Sequence, residues 1–317
     1  MSHLIQTMAY MGVTPWHGIG NRLTAHQPTE VWAEQSGINF SIQETDVQYV
    51  TDRDQGLDAI KSFPEQKVLY RSDNLQPLSV VSQRFKVVQP REILEFYRDL
   101  TEVSGFELET AGVLKGGRKI WALARTGQSA TLKGKDVMQG YLLLATACDG
   151  TLATTAQFTS IRVVCNNTLA IALNDGRDAV KVPHSTSFDA QAVKQQLGVT
   201  VSTWDTFMYR MKQLAERKVT DQEAETFYRQ VMGSSDEATS HYERVMSRMM
   251  ALFEGQGLGA ELSSSKGTAF GLLNSVTQYV DHERRARTPE HRLDAAWFGQ
   301  GAGLKQRALD QALCVTL

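Results

Sequence analysis

The chain has 317 residues, of which 42% are hydrophobic and 21% are charged, and its formal net charge is −2. These values are typical of a globular protein and exclude a globally basic nucleic-acid-binding chain, although they leave room for a local basic face. No apolar run approaches the about 18 residues of a membrane span. The three cysteines form no C-x-x-C pair, which favours a reducing cytoplasm over a structural zinc site.

The N-terminal part mixes irregular chain, strands and helices. Residues 1–30 are rich in glycine and proline and are predicted as an irregular arm, and residues 29–37 as a short helix. Residues 40–50 and 67–89 alternate apolar and polar side chains, which is the period of half-buried strands. A proline-initiated helix is then predicted over residues 90–105.

Residues 106–158 carry the clearest pattern in the chain. Alternating runs are joined by Gly116-Gly117 and by Asp149-Gly150. Both dipeptides favour tight hairpin turns, because their central residues are expected to take positive φ. The segment is therefore predicted as a four-stranded antiparallel meander.

The stretch that follows, TSIRVVCNNTLAIALNDG, is predicted as a helix over residues 160–174. Such a helix would cover the apolar face of the meander. Arg162 and Asn166, four residues apart, would share its other face, with Asn167 at the flank. The predicted apolar stripe consists of Ile161, Val164 with Cys165, Leu169, and Ala172 with Leu173.

The C-terminal part has the period of helices, with a capping box of Thr220 and Glu223 at one start and a last short helix after Gly303. We therefore predict an α+β fold, with an antiparallel β-meander covered by helices and a C-terminal helical region. The expected domains are residues 1–186 and residues 187–317.

Five motifs occur in order along the chain: PWHGIG, VVSQRFKVVQP, TAGVLKGGRKIWALAR, DGTLATTAQFTSIRVVCNNTLAIAL and NSVTQYVDHERRAR…FGQGAGLKQRAL. Together they resemble the phage/plasmid-like protein family, a family of unknown function from prophages, phages and plasmids. The resemblance covers nearly the whole chain. It implies a mobile-element protein of the bacterial cytoplasm and supplies no catalytic residue. Asn166 stands where that family usually has glutamine.

Arg162 is the first candidate ligand-binding residue. An arginine can hold a phosphate with a fork of donors, and the neighbouring asparagines can hold an amide edge. The alternative is structural: Arg162 pairs with Asp149 or another acid while the asparagine side chains satisfy nearby backbone.

A local basic excess is the second signal. Between residues 111 and 182 there are nine basic and four acidic residues, a local charge of about +5. Trp121 lies in the same region and could stack on a base, or belong to the core. The predicted nucleic-acid-binding residues are Lys115, Arg118, Lys119, Lys133, Lys135, Arg162, Asn166 and Asn167.

Other motifs carry weaker signals. Trp16 and His17 could close over a ligand or anchor the arm, and the scattered histidines form no metal-binding pair. The stretch GQGAGLK lacks the G-K-[ST] ending of a phosphate loop. Cys148 and Cys165 are read as core residues, and a polar seam of hydrogen bonds is expected along the helix that ends in Asp281-His282. No metal and no cofactor are expected.

The leading hypothesis is a non-enzymatic nucleic-acid-binding protein that binds or anneals single-stranded DNA in the cytoplasm. It rests partly on the outline of a meander and helix, which resembles the core of phage single-strand annealing proteins. One alternative is an enzyme with Arg162, Asn166, Asp149 and His17 in one pocket. Another is a protein that binds and blocks a host defence factor through its helical half. Homo-oligomer formation is left open, and no membrane partner is expected.

Overall fold

A computed structural model of the chain describes residues 8–12, 20–52, 59–171, 179–197, 201–233 and 240–315. The fold is α+β, with strands concentrated in the N-terminal part and helices in the C-terminal part, so the predicted fold class is confirmed. Trp16 and His17 lie outside the described residues. None of the helices in the described part combines the length and the apolar character needed to cross a bilayer.

The described residues contain eleven strands and nine α-helices. The strands are β1 Met8–Met11, β2 Asn21–Leu23, β3 Ile42–Val50, β4 Ile60–Arg71, β5 Pro77–Ser82, β6 Glu107–Leu114, β7 Lys119–Leu132, β8 Asp136–Ala147, β9 Thr154–Arg162, β10 Asn167–Ala170 and β11 Val180–Val182. The helices are α1 Thr29–Gln35, α2 Pro90–Ser104, α3 Ala190–Leu197, α4 Val201–Glu216, α5 Asp221–Met232, α6 Ser240–Ala251, α7 Ala269–Gln278, α8 Pro289–Phe298 and α9 Gln300–Val315.

By its internal contacts the chain divides into two compact units, each built from three segments. The first unit comprises Met1–Thr126, Leu142–Gln157 and Ala179–Gly198, and the second comprises Gly127–Tyr141, Phe158–Asp178 and Val199–Leu317. Strands β7, β8 and β9 each contribute residues to both units. The predicted domain boundary near residue 186 does not coincide with any boundary between these segments. The division into domains of residues 1–186 and 187–317 stays a prediction.

The first unit holds the smaller of two sheets and part of the larger one. In the larger sheet β1 pairs with β6 in antiparallel and with β2 in parallel orientation. The smaller sheet has the order β3-β4-β5 and is antiparallel. Helix α2 begins at Pro90 and ends at Ser104, with Gly105 directly after its end as predicted. The Tyr97 hydroxyl on this helix lies 2.8 Å from the carbonyl oxygen of Ala122 and 2.9 Å from that of Leu142.

The meander is confirmed: β6, β7, β8 and β9 are neighbours in that order. Gly116 and Gly117 both have positive φ in the first turn, and Trp121 is a core residue. The second turn differs in detail from the expectation. Gly150 has a φ of 75°, but the Asp149 carboxylate instead accepts hydrogen bonds from the amide and hydroxyl of Thr151, which is an Asx turn.

The predicted helix over residues 160–174 is wrong. Strand β9 continues to Arg162, residues 163–166 form a turn, and β10 pairs with β9 in antiparallel register from Asn167 opposite Arg162 to Ala170 opposite Thr159. The stretch is rich in β-branched residues, which favour strands. Residues 172–174 lie outside the described part of the chain.

The second unit is largely helical and is centred on α7, which is buried along almost its whole length. A helix that is buried on all sides forms the interior of a bundle. The capping box of Thr220 and Glu223 at α5 is confirmed. The last helix starts at Gln300 rather than after Gly303. Gly301 therefore lies inside α9, where a Cβ atom would come within 2.7 Å of the Ala295 carbonyl oxygen.

Candidate functional site

Arg162, at the end of β9, is almost completely buried, with 2% of its surface exposed. Its Nε lies 2.9 and 3.0 Å from the two carboxylate oxygens of Asp136, and its Nη2 lies 2.7 Å from Oδ2. Asp136 is the first residue of β8 and is 1% exposed. The acid that partners Arg162 is therefore Asp136, in a bidentate pair that excludes water.

The same guanidinium holds the loop formed by residues 257–268. Nη1 donates to the carbonyl of Leu258 at 3.3 Å, and Nη2 donates to the carbonyl of Gly259 at 3.0 Å and to the Ser265 hydroxyl at 2.9 Å. The Ser264 hydroxyl donates to Asp136 at 2.6 Å. We call Arg162, Asp136, Ser264 and Ser265 the Arg162 network.

Gly259 is required where the loop meets the network. Its φ is 71°, and a Cβ atom would lie 2.8 Å from Cγ1 of Val164 and 2.9 Å from Nη2 of Arg162. A side chain there would be strained both by its backbone conformation and by these close contacts. The loop can thus approach the β9–β10 turn because this residue is a glycine.

Burial shifts the pKa values of Arg162 and of two cysteines. Burial opposes the charge of Arg162, but its hydrogen bonds to Asp136 and the electrostatic attraction of Cys165 and Asp136 together outweigh burial, so the pKa of the guanidinium is raised. Burial raises the pKa of the Cys165 thiol to about 11 and that of Cys148 to about 12. Neither thiol is a thiolate at neutral pH, which agrees with their predicted place in the core.

The surface above the Arg162 network is apolar at its centre. Val163, Val164 and Leu258 are 46%, 43% and 53% exposed. The two valines lie in the β9–β10 turn, and Leu258 precedes the glycine that approaches Val164.

Four lysines lie in or beside the segments that meet at the Arg162 network. Lys133 and Lys135 are exposed in the β7–β8 turn directly before Asp136. Nζ of Lys218 donates to the carbonyl of Lys266, two residues beyond the Asp136-bound Ser264, and Lys133 pairs with Glu216 at 3.1 Å. We call the following residues the hairpin face: Lys133, Lys135, Val163, Val164, Lys218, Leu258 and Lys266.

A second buried network joins β10 to the helices of the second unit. Lys305 donates to Asp281 at 2.8 Å and to the hydroxyl of Thr168 at 2.6 Å, and Asp281 accepts from the Thr168 amide at 2.8 Å. Asn167 accepts from His282 at 3.1 Å and donates to the Thr277 hydroxyl at 3.0 Å. The predicted polar seam takes part in buried hydrogen bonds, but these join the helices to β10 as well as to one another.

Three predicted nucleic-acid ligands are corrected by their burial. Lys119, Arg162 and Asn167 are each at most 4% exposed, so their side chains are not on the protein surface. Asn166 is a turn residue with a φ of 54°, a conformation that asparagine tolerates better than most residues. It does not share a helix face with Arg162, because no helix forms there.

The other predicted ligands lie at the two ends of β7. Arg118 is exposed and Lys115 half-buried in the β6–β7 turn of the first unit, whereas Lys133 and Lys135 belong to the second unit. Among the residues that the structure describes, no three histidine, cysteine or carboxylate side chains gather in a way that could hold a metal ion.

Sequence reasoning missed Asp136, the two serines and the lysines at 218 and 266. A buried arginine in a strand requires an acid, but local sequence does not say which one. Asp136 is 26 residues from Arg162, and Ser265 is 103 residues away.

The chain matches the model of a family described as Domain of unknown function (DUF932), over residues 77–297. The match spans more than half of the chain and includes the Arg162 network, the hairpin face and the second buried network except for Lys305. No curated protein and no solved structure matches the chain. The chain belongs to the DUF932 family.

Proposed function

We propose that the protein is a non-enzymatic binder of single-stranded nucleic acid and that the hairpin face of the second unit carries the binding. The supporting observation is the convergence of four lysines at one buried network. Lys133 and Lys135 lie beside Asp136, while Lys266 follows the serines that bind Asp136 and Arg162 and is joined to Lys218. Lysine ammonium groups bind the phosphate backbone as point charges.

The charge of this face remains positive after its acids are counted. Among the described residues of the face and its immediate neighbours, Glu216 and Glu261 oppose the four lysines. In the pair with Lys133, the Glu216 side chain is 74% exposed and the Lys133 side chain 26% exposed, so the carboxylate of the pair is open to solvent. Such a solvated pair contributes little free energy, so a phosphate can compete for Lys133.

The Arg162 network supports the proposal through preorganisation. It holds the β7–β8 turn, the β9–β10 turn and the loop of residues 257–268 through buried hydrogen bonds. A surface that is already ordered loses less conformational entropy on binding. Arg162 thus takes part by positioning the face and has no contact with the ligand.

Arg118 and Lys115 in the first unit form a second, smaller basic group. These two residues would give the first unit its own, separate contact to a nucleic-acid backbone. The resemblance to the phage/plasmid-like family supports a role in a mobile element of the bacterial cytoplasm, where binding and annealing of single-stranded DNA would need no catalytic residue.

The alternative of an enzyme centred on Arg162 gains no support. The guanidinium is buried against Asp136, and Asp149 accepts hydrogen bonds within its own turn. No described contact favours the blocking of a host defence factor either.

The experiment is fluorescence anisotropy with a labelled single-stranded oligonucleotide at several salt concentrations. Contacts to about four phosphates predict a slope of roughly −3 for the logarithm of the association constant against that of salt. Lys133→Gln with Lys135→Gln should flatten this slope by about one to two units and weaken different sequences about equally.

The matched control is Arg84→Gln with Lys86→Gln, which removes two exposed positive charges from the first unit. This control should leave the slope unchanged. Absence of binding at low salt, or an equal change in both double variants, would contradict the proposal.

A further inference from the structure

The exposed apolar centre of the hairpin face is held rigidly. The Leu258 amide donates to the side chain of Gln278 at 2.8 Å, and its carbonyl accepts from Arg162. The Val163 amide donates to the carbonyl of Val137 at 2.9 Å, and the Asn166 amide donates to that of Arg162 at 2.7 Å. The backbone is thus bonded on both sides of side chains that point into solvent.

Rigid exposed apolar side chains, held on a network whose neighbouring segments carry lysines, are suited to one kind of polymer. A single strand of nucleic acid presents anionic phosphates together with flat, apolar base faces. A duplex presents the same phosphates but hides the base faces in its stack. A face that combines lysines with exposed apolar side chains would therefore favour unstacked bases over a duplex.

We infer that Val163, Val164 and Leu258 contact the faces of unstacked bases while the lysines of the hairpin face hold the phosphates. This inference rests on the proposed function and deepens it, because phosphate binding alone would not separate a single strand from a duplex. The valine turn would act as an apolar wedge against the bases, as apolar side chains do when they separate stacked bases elsewhere.

A second exposed apolar surface, in the first unit, lacks an excess of positive charge. Tyr49, Val50, Ile60 and Phe63 are exposed where β3 pairs with β4 in the first unit. Among the described charged residues of these two strands and their ends, the acids outnumber the bases by five to three: Glu44, Asp46, Asp52, Glu65 and Asp73 stand against Lys61, Lys67 and Arg71. That surface would repel a polyanion, so charge complementarity assigns the bases to the hairpin face.

The test compares two labelled strands of equal length by anisotropy: a mixed-sequence DNA strand and an abasic strand that keeps the deoxyribose-phosphate backbone. Wild-type protein should bind the strand with bases about tenfold more tightly at the same salt, from the apolar area that the bases bury. The variant is Val163→Thr, Val164→Thr and Leu258→Gln together. It should lose this preference and keep both its affinity for the abasic strand and its salt slope.

The control is Val50→Thr, which changes a 73% exposed valine on the other apolar surface and should keep the tenfold preference. If the triple variant does not fold, Leu258→Gln alone should reduce the preference several-fold. Equal wild-type affinity for both strands would overturn the inference and leave the proposed function standing. A preference that survives in a folded variant would overturn it too, whereas binding of neither strand would overturn the proposed function itself.

Discussion

Replacing Arg162 by methionine tests whether the buried pair holds the second unit together. The substitution keeps a long side chain but removes every donor that Asp136 receives from Arg162. The Asp136 carboxylate, 1% exposed, would keep the hydrogen bond from Ser264 and no cationic partner. Four acceptors would also lose a donor: the Ser265 hydroxyl, the Cys165 sulfur and the carbonyls of Leu258 and Gly259.

The expected loss is about 3–5 kcal/mol in the free energy of unfolding, because the substitution leaves an uncompensated buried charge. Solvent screening does not reduce this value, since both side chains are almost fully buried. For a unit of this size the loss corresponds to a decrease in Tm of about 6–20 °C. Urea denaturation and thermal melts both measure it.

A double-mutant cycle separates the pair from the packing of each side chain. Asp136→Leu alone should also destabilise the protein, because it leaves the Arg162 charge buried. The double variant should cost about 2 kcal/mol less than the sum of the single changes, since neither charge is then left without the other. Arg91→Met is the control: Arg91 is 73% exposed in its pair with Glu95, so its loss should cost below about 1 kcal/mol. A loss that small for Arg162→Met, or strict additivity in the cycle, would refute the reasoning.

Three further predictions concern the surroundings of the network. Gly259→Ala should destabilise the protein by about 1–3 kcal/mol in urea denaturation, because of its positive φ and the close approach to Val164; an unchanged stability would contradict the described loop. Burial lowers the pKa of His282 below its ordinary 6.5, so the unfolded state takes up the proton first and stability should fall as pH drops through 6.5 from about 7.5. His282→Gln should flatten this dependence in melts between those values, and an unaltered pH profile would argue against a buried neutral imidazole. Asn166→Gly should keep or raise Tm and keep nucleic-acid affinity, because glycine adopts its φ of 54° freely, and a selective loss of affinity would identify Asn166 as a ligand after all.

The meander could be predicted because its signals are local. Alternation fixes which side chains of a strand face the core, and Gly116-Gly117 provides the backbone freedom that its turn needs. The capping box at α5 was predictable for the same reason, since its two partners are three residues apart. These features depend on neighbours in sequence.

The stretch from residue 159 onward could not be settled locally. Ile161, Val164 and Leu169 fit a helical stripe, yet Val164 is exposed and Leu169 is buried in a strand. Short apolar runs allow both assignments, and pairing of β10 with β9 decided between them. The local signal for a turn was Asn166, and the prediction of a helix did not take it into account.

The candidate site was predicted in part. The exposed lysines at 133 and 135 were found from the local basic excess, but the burial of Arg162, Asn167 and Lys119 was not. Burial depends on packing against segments far along the chain: Asn167 meets α7 across 110 residues. Charge counts alone cannot separate a solvated lysine from one enclosed by the fold.

The central claim is that the hairpin face binds single-stranded nucleic acid. Photo-crosslinking of a 5-bromouracil-containing strand, followed by mass-spectrometric identification of the linked peptides, tests it most directly. Crosslinks should fall within residues 133–137, 163–166 and 257–266, and excess unlabelled single strand should suppress them more effectively than duplex. Crosslinks confined to the β3–β4 strands, or none at a salt concentration where anisotropy shows binding, would contradict the claim.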